Sequence, residues 1–206
     1  MKILIDIGHP AHVHYFRNFY KILKQKKYNF IFIARDKEVT HKLLEKYSIP
    51  FFSRGKGSIG FFGKFLNLLS TNYQLYKYVR KFKPDLTISF CSPYLAQVSW
   101  LKRIPHICYT DTEHAKLGIL LTIPFSDVII TPKFFKKSFG KKHKTFNGFM
   151  ELSYLHKKYY KPNLNIKKIL GVNNEKYVIV RFVSWEASHD FGVSGLSDDD
   201  KIKLIK

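Results

Sequence analysis

The chain has 206 residues, of which 45% are hydrophobic and 17% aromatic, enough to bury a sizeable core in one complete domain and part of a second. The net charge of +21 points to an anionic partner (nucleic acid, an acidic membrane surface or a phosphorylated substrate) or to a plain compositional bias. Lysines scattered without an arginine-rich tract argue against nucleic acid, two cysteines (Cys91 and Cys108) exclude a disulfide framework, and no apolar run approaches the ~20 residues of a membrane span.

The opening "KILIDI" (2–7) reads as a buried strand. Its aspartate follows only three aliphatic residues, so it is no signal peptide, and a cytoplasmic protein is expected, peripheral at most on the inner face of the membrane. A helix follows through "HVHYFRNFYKILKQK", where Val13, Phe16, Phe19, Tyr20 and Leu23 keep helical spacing. "FIFIA" (30–34) is the next strand, "DKEVTHKLLEKY" the next helix, and "IPFF" (49–52) a short strand before the loop "SRGKGSIG" (53–60). A long amphipathic helix, "FFGKFLNLLSTNYQLYKYVRKFK", ends at Pro84-Asp85. Its Phe61, Phe62, Phe65, Leu68 and Leu69 form an apolar stripe, and Lys64, Lys77, Arg80, Lys81 and Lys83 supply charge. That pattern serves either the core or docking on an anionic membrane. The alternation continues with "LTISF" (86–90), "LAQVSWL", "HICYT" (106–110), a helix near 115–122, "DVIIT" (127–131), a helix near 133–139 and "KTFNG".

Strands apolar on both faces and alternating with helices predict an α/β domain with a doubly wound parallel sheet. Residues 1–155 form this domain, with about six strands. A basic, Pro- and Asn-containing linker at 156–176 holds a short helix closed by Gly171. From 177 a second α/β domain starts, with a strand "YVIVRFV" (177–183), a polar loop and a helix capped by Ser197. One strand and one helix cannot bury a core, so this second domain is expected to be incomplete and the chain inactive alone.

In open α/β sheets ligands bind at the carboxyl ends of the strands, and three polar clusters fall there. In the first, Gly8-His9-Pro10-Ala11-His12-Val13-His14, the second and third histidines lie ~200° apart around a helix and cannot share a metal. They are either solvated loop residues or a catalytic corner at a helix N-terminus. The second, Thr110-Asp111-Thr112-Glu113-His114, crowds two carboxylates beside an imidazole, as either a helix cap or an acid/base group. The third, Ser184-Trp185-Glu186-Ala187-Ser188-His189-Asp190, is rich in donors or merely solvated. Neither a dinucleotide fingerprint nor a P-loop is present.

"MKILIDIGHPAHVHYFRNF", "YTDTEHA", "NGFMELSYLH" and "RFVSWEASHDFG" together resemble the domain-of-unknown-function 354 family. That family is related to glycosyltransferases of the B fold and to non-hydrolysing UDP-N-acetylglucosamine 2-epimerases. The resemblance implies a Rossmann-like, glycosyltransferase-B N-terminal domain that faces a nucleotide-sugar-binding domain across a cleft. It places His12 in a glycine-histidine loop toward the acceptor, with Gly8, His9 and His14 around it. Glu113 falls near a catalytic glutamate of the epimerases. Arg181, Ser184, Trp185, Ser188 and His189 fall where the donor pyrophosphate is held, although Trp185, Glu186 and Ala187 replace the glycines usual in that loop.

The resulting expectation is an enzyme acting on a nucleotide-activated sugar in surface polysaccharide or glycolipid synthesis, with a lipid-linked or glycan acceptor and neither metal nor cofactor. His12 or Glu113 would be the base. The alternatives are an epimerase with Asp111 and Glu113 flanking C2, and a non-catalytic basic binding fragment.

Overall fold

The computed structural model describes residues 1–57, 61–172, 176–182 and 195–205, including their side chains except at 61–66. Seven strands, β1 (Lys2–Ile7), β2 (Asn29–Ala34), β3 (Phe51–Ser53), β4 (Leu86–Phe90), β5 (His106–Tyr109), β6 (Val128–Pro132) and β7 (His143–Phe146), form one sheet. Its order is β3-β2-β1-β4-β5-β6-β7 and every pairing is parallel. The connecting helices are α1 (Pro10–Gln25), α2 (Thr40–Lys46), α3 (Phe61–Phe82), α4 (Pro93–Leu101) and α5 (Lys116–Thr122).

The strand pleat sorts the core into two layers. Ile3, Ile5 and Ile7 of β1 point to one face and pack with Val13, Phe16 and Tyr20 of α1. Leu4 points to the other, where Leu75 and Val79 of α3 meet Leu95 and Val98 of α4. Helices on both faces of a parallel sheet make the domain doubly wound, as its apolar strands require. Asp6 alternates onto the α3/α4 side and is 1% exposed, a placement that needs partners.

Several elements differ from expectation. The core face of α3 is Thr71, Leu75 and Val79, whereas Leu69, at 54% exposure, lies outside it. The side chains of Phe61, Phe62, Lys64 and Phe65 lie outside the described residues. The segment 133–139 is not helical, because its amides are taken by tertiary acceptors. Lys133 N–H donates to Phe146 O at 2.8 Å, Lys136 N–H to the Glu113 carboxylate, and Phe139 N–H to His143 Nδ1 at 3.4 Å. Those bonds stabilise a loop that the local pattern alone reads as helix.

The chain divides into two compact units, residues 1–160 and 161–206. The first closes with a short helix, α6 (Leu152–Leu155), packed on α1. In the second, α7 (Ile166–Ile169) is closed by Gly171 in the left-handed region, φ +71°. There α8 (Asp198–Ile205) begins at a reciprocal cap, with Asp200 N–H donating to Ser197 Oγ and the Ser197 hydroxyl to Asp200. The strand expected over 177–183 is not formed in its described part, residues 177–182, where Val178 and Ile179 are exposed. A strand exists only as a member of a ladder, and no described segment pairs with this one.

Candidate active site at the β1–β4 switch point

From β1 the chain winds outward through β2 and β3, then returns through α3 to place β4 on the other side of β1. This reversal opens a crevice at the carboxyl ends of β1 and β4. The floor of the crevice is tied by Asp6, whose carboxylate accepts Arg54 Nε–H at 2.8 Å and the Ser92 hydroxyl at 2.6 Å. One buried carboxylate thereby joins β1 to the loops that follow β3 and β4.

Above it, the histidines separate into three roles. His9 is extended, and its Nδ1 accepts the Ala11 N–H at 3.2 Å, capping α1 just before Pro10. His12 turns back, and its Nδ1 accepts the Gly8 N–H at 3.3 Å while the ring packs 4.8 Å from Phe90 at the end of β4. Burial first, and then the charges of His9, Lys37 and Arg54, lower its pKa from 6.5 to about 3. An imidazole that is neutral and accepts at Nδ1 carries its proton on Nε2, so the free edge of His12 is a hydrogen-bond donor. That edge cannot take a proton unless the bond to Gly8 is surrendered. His14 faces elsewhere, with Tyr47 Oη 3.3 Å from Nδ1 and the Tyr154 ring at 5.2 Å. Its pKa is lowered by burial, then by Arg17 and Lys46. Among the described residues no cluster of His, Cys, Asp and Glu could hold a metal ion.

The end of β5 adds acid/base chemistry. Burial raises the pKa of Asp111, opposed by a 3.0 Å hydrogen bond from the Thr112 hydroxyl and reinforced by Glu151. Tyr15, one turn along α1 from His12, donates to Glu151 Oε1 at 3.4 Å. Its phenol is pushed well above the ordinary range by burial and then by Asp111 and Glu151. Tyr15 thus links two carboxylates to the His12–Phe90 pair, its ring lying 6.2 Å and 5.3 Å from those two rings. Beside Tyr15, a cavity of about 330 Å³ is lined by Phe16, Phe19, Tyr109, Phe149 and Leu152.

Of the residues expected from sequence, Gly8 and His12 are joined after β1, and Asp111 acts on Tyr15 beside them. Glu113 turns instead to the loop after β6, where it caps the Lys136 amide and its carbonyl accepts from Lys137 Nζ at 3.1 Å. Arg181 lies exposed in the second unit. Ser184, Trp185, Ser188 and His189 lie outside the described residues. Glu151 and Tyr15 were missed, although both sit in stretches that carried the family resemblance.

Residues 1–194 match the family described as "Protein of unknown function (DUF354)". An uncharacterized protein of Methanocaldococcus jannaschii is 28% identical over 188 residues, covering 87% of this chain and 55% of the relative. The chain thus spans about half the length of the curated relative it matches. Among solved structures, the UDP-GlcNAc 2-epimerase of M. jannaschii in complex with UDP-GlcNAc and UDP superposes with a TM-score of 0.54 at 15% identity, over 64% of this chain and 40% of that one. A glycosyltransferase of Streptomyces sp. SF2575 superposes with a TM-score of 0.53 at 14% identity, over 72% of this chain and 56% of that one. At these identities the likeness is one of fold.

Proposed function

This chain belongs to the DUF354 family, and we propose that it is the acceptor-side part of a glycosyltransferase-B-like enzyme that transfers a sugar from a nucleoside-diphosphate donor. The observation that carries the reading is that His12 and Asp111 both neighbour Tyr15, at the carboxyl end of a sheet whose fold is shared with UDP-sugar enzymes. Asp111, its proton affinity raised by burial, takes the proton of the acceptor hydroxyl as that oxygen bonds to C1 of the sugar. The bond from C1 to the donor phosphate breaks, and the diphosphate leaves with the electron pair. His12 Nε2–H donates to an oxygen that gains charge in this step, and because His12 stays neutral it does not compete for the proton. The aromatic cavity beside Tyr15 suits the apolar part of a lipid-linked acceptor. No helix among the described residues is long and apolar enough to cross a membrane. Arg181 and residues 184–190 would supply the donor diphosphate contacts.

Glu151 favours a second reading. With Asp111 it forms a carboxylate pair around Tyr15, and epimerisation at C2 needs two acid/base groups. UDP release and C2 inversion, followed across a panel of UDP-sugars in the protein with a complete second unit, separate the two. Asp111→Asn should lower either activity by about 10²-fold or more. Absence of both activities with every donor would refute the proposal.

A further inference from the structure

Arg35 is left unpaired by everything described so far. It follows β2 directly, its amide donates to Ile7 O at 2.9 Å, and the amide of Asp36 donates to Gly55 O at 2.9 Å. The carboxyl ends of β1, β2 and β3 are thereby stitched together, which brings the backbones of Arg35 and Arg54 side by side. The Arg35 guanidinium lies flat against Gly57, and a Cβ there would sit 1.9 Å from Nη2 and 2.3 Å from Cζ. Only glycine allows that approach. Neighbouring groups have partners of their own: Arg54 pairs with Asp6 at 2.8 Å and Lys37 with Glu38 at 3.5 Å, while the Asp36 carboxylate lies 3.7 Å from His41 Nδ1. Arg35 has no carboxylate partner, and its buried Nε has no hydrogen-bond partner, among the described residues.

A buried N–H of a cation without an acceptor is costly to maintain. A guanidinium held in one plane, by a loop shaped for it, is the side chain best suited to a two-oxygen anion. Arg35 also stands one strand from the Gly8–His12 loop, at the same edge of the sheet as the free Nε2–H of His12.

We propose that Arg35, cradled by Gly57, is an anion-binding subsite of the switch-point crevice that recognises a phosphate or carboxylate group carried by the acceptor. This rests on the transferase reading and narrows it, because the acceptor is then an acidic molecule. Arg54 supplies positive potential behind the subsite while its own hydrogen bonds stay with Asp6.

The test is calorimetric titration of the 206-residue chain with inorganic pyrophosphate and, separately, with malonate. Wild type should bind one of them at one site per chain, and the tighter of the two identifies the group as phosphate or carboxylate. Arg35→Gln should weaken that binding at least tenfold. Gly57→Ala should do the same by displacing the guanidinium, with the fold intact because the clash is with a movable side chain. Lys21→Gln removes an equal charge from an exposed position on α1 and should change nothing. Equal losses in Arg35→Gln and Lys21→Gln, with none in the charge-neutral Gly57→Ala, would mean that the net charge alone attracts anions, and unchanged binding in folded Arg35→Gln would dispose of the subsite. Saturating UDP should leave the affinity unaltered; competition would assign Arg35 to the donor's diphosphate and overturn the proposal. Absence of UDP release and of C2 inversion in the activity test above, with pyrophosphate binding still lost on Arg35→Gln, keeps the subsite and sinks the nucleotide-sugar reading instead.

Discussion

Asp6→Asn removes one charge from a deeply buried ion pair while keeping the shape of the side chain. The exposures of the Arg54 and Asp6 side chains are 4% and 0%, so water screens the pair little. With asparagine in place, the guanidinium stays buried without its counter-charge. Breaking a buried pair from one side costs about 3–5 kcal/mol. The Tyr94 ring, 5.0 Å from Arg54 Cζ, remains as a weak cation partner and places the expectation toward the lower end. Against a total stability of about 5–15 kcal/mol, even the lower figure is a large share. At about 2–4 °C per kcal/mol for a unit of this size, Tm should fall by about 6–15 °C. Urea unfolding of Asp6→Asn, Arg54→Met and the double variant completes a cycle, and the double should be more stable than the sum of the singles predicts, because it leaves no charge stranded. A loss below about 1 kcal/mol in Asp6→Asn, or strict additivity, would refute the reasoning. Either would mean that water reaches the pair and that Asp6 does not tie β1 to the two loops.

His106 is fully buried between the Thr87 and Ser89 hydroxyls at 2.9 and 3.1 Å, and burial lowers its pKa from 6.5 to about 3. Between those values the unfolded chain holds a proton that the folded chain does not, so the contribution of His106 to stability falls by about 2 kcal/mol from pH 7 to pH 5, beside a similar loss from His12. Urea midpoints at the two pH values should show this loss and show it reduced in His106→Gln; an unchanged dependence removes the assignment. On α3, Leu75→Ala should cost about 2–5 kcal/mol and Leu69→Ala less than about 0.5 kcal/mol in equilibrium unfolding. A reversed order would mean that the buried face of the helix is the stripe read from sequence.

The architecture was legible because a parallel sheet covered on both sides leaves a plain mark, short runs such as "KILIDI" and "LTISF" apolar at nearly every position. Legibility ended where one element's backbone is satisfied by another. The amides after Pro132 are claimed by Phe146, Glu113 and His143, and no local window contains those partners. The acid/base group failed in the same way. Asp111 was visible because it stands in a polar cluster directly after a strand. Glu151 was not, since its significance comes from Tyr15, 136 positions away. A carboxylate becomes interesting through its neighbours, and these two are neighbours only because α6 packs on α1.

The three histidines show how far spacing carries an argument. An interval of two on a helix is enough to deny His12 and His14 a common ligand, and the contacts agree, Phe90 and Gly8 for one, Tyr47 and Tyr154 for the other. Spacing does not say which of them faces the crevice. That follows from topology: β4 returns beside β1, so Phe90 arrives against the first turn of α1 and selects His12. Nor does spacing say what His12 can do there. A solvated imidazole at this place would be a natural base, which is the role the sequence suggested. The Gly8 amide, by occupying Nδ1, leaves the proton on Nε2 and turns the same ring into a donor. The proposed transfer therefore takes its base from Asp111, whose proton affinity burial raises. In the proposed transfer, that one backbone hydrogen bond suits the free edge of His12 to donation and leaves proton transfer to Asp111.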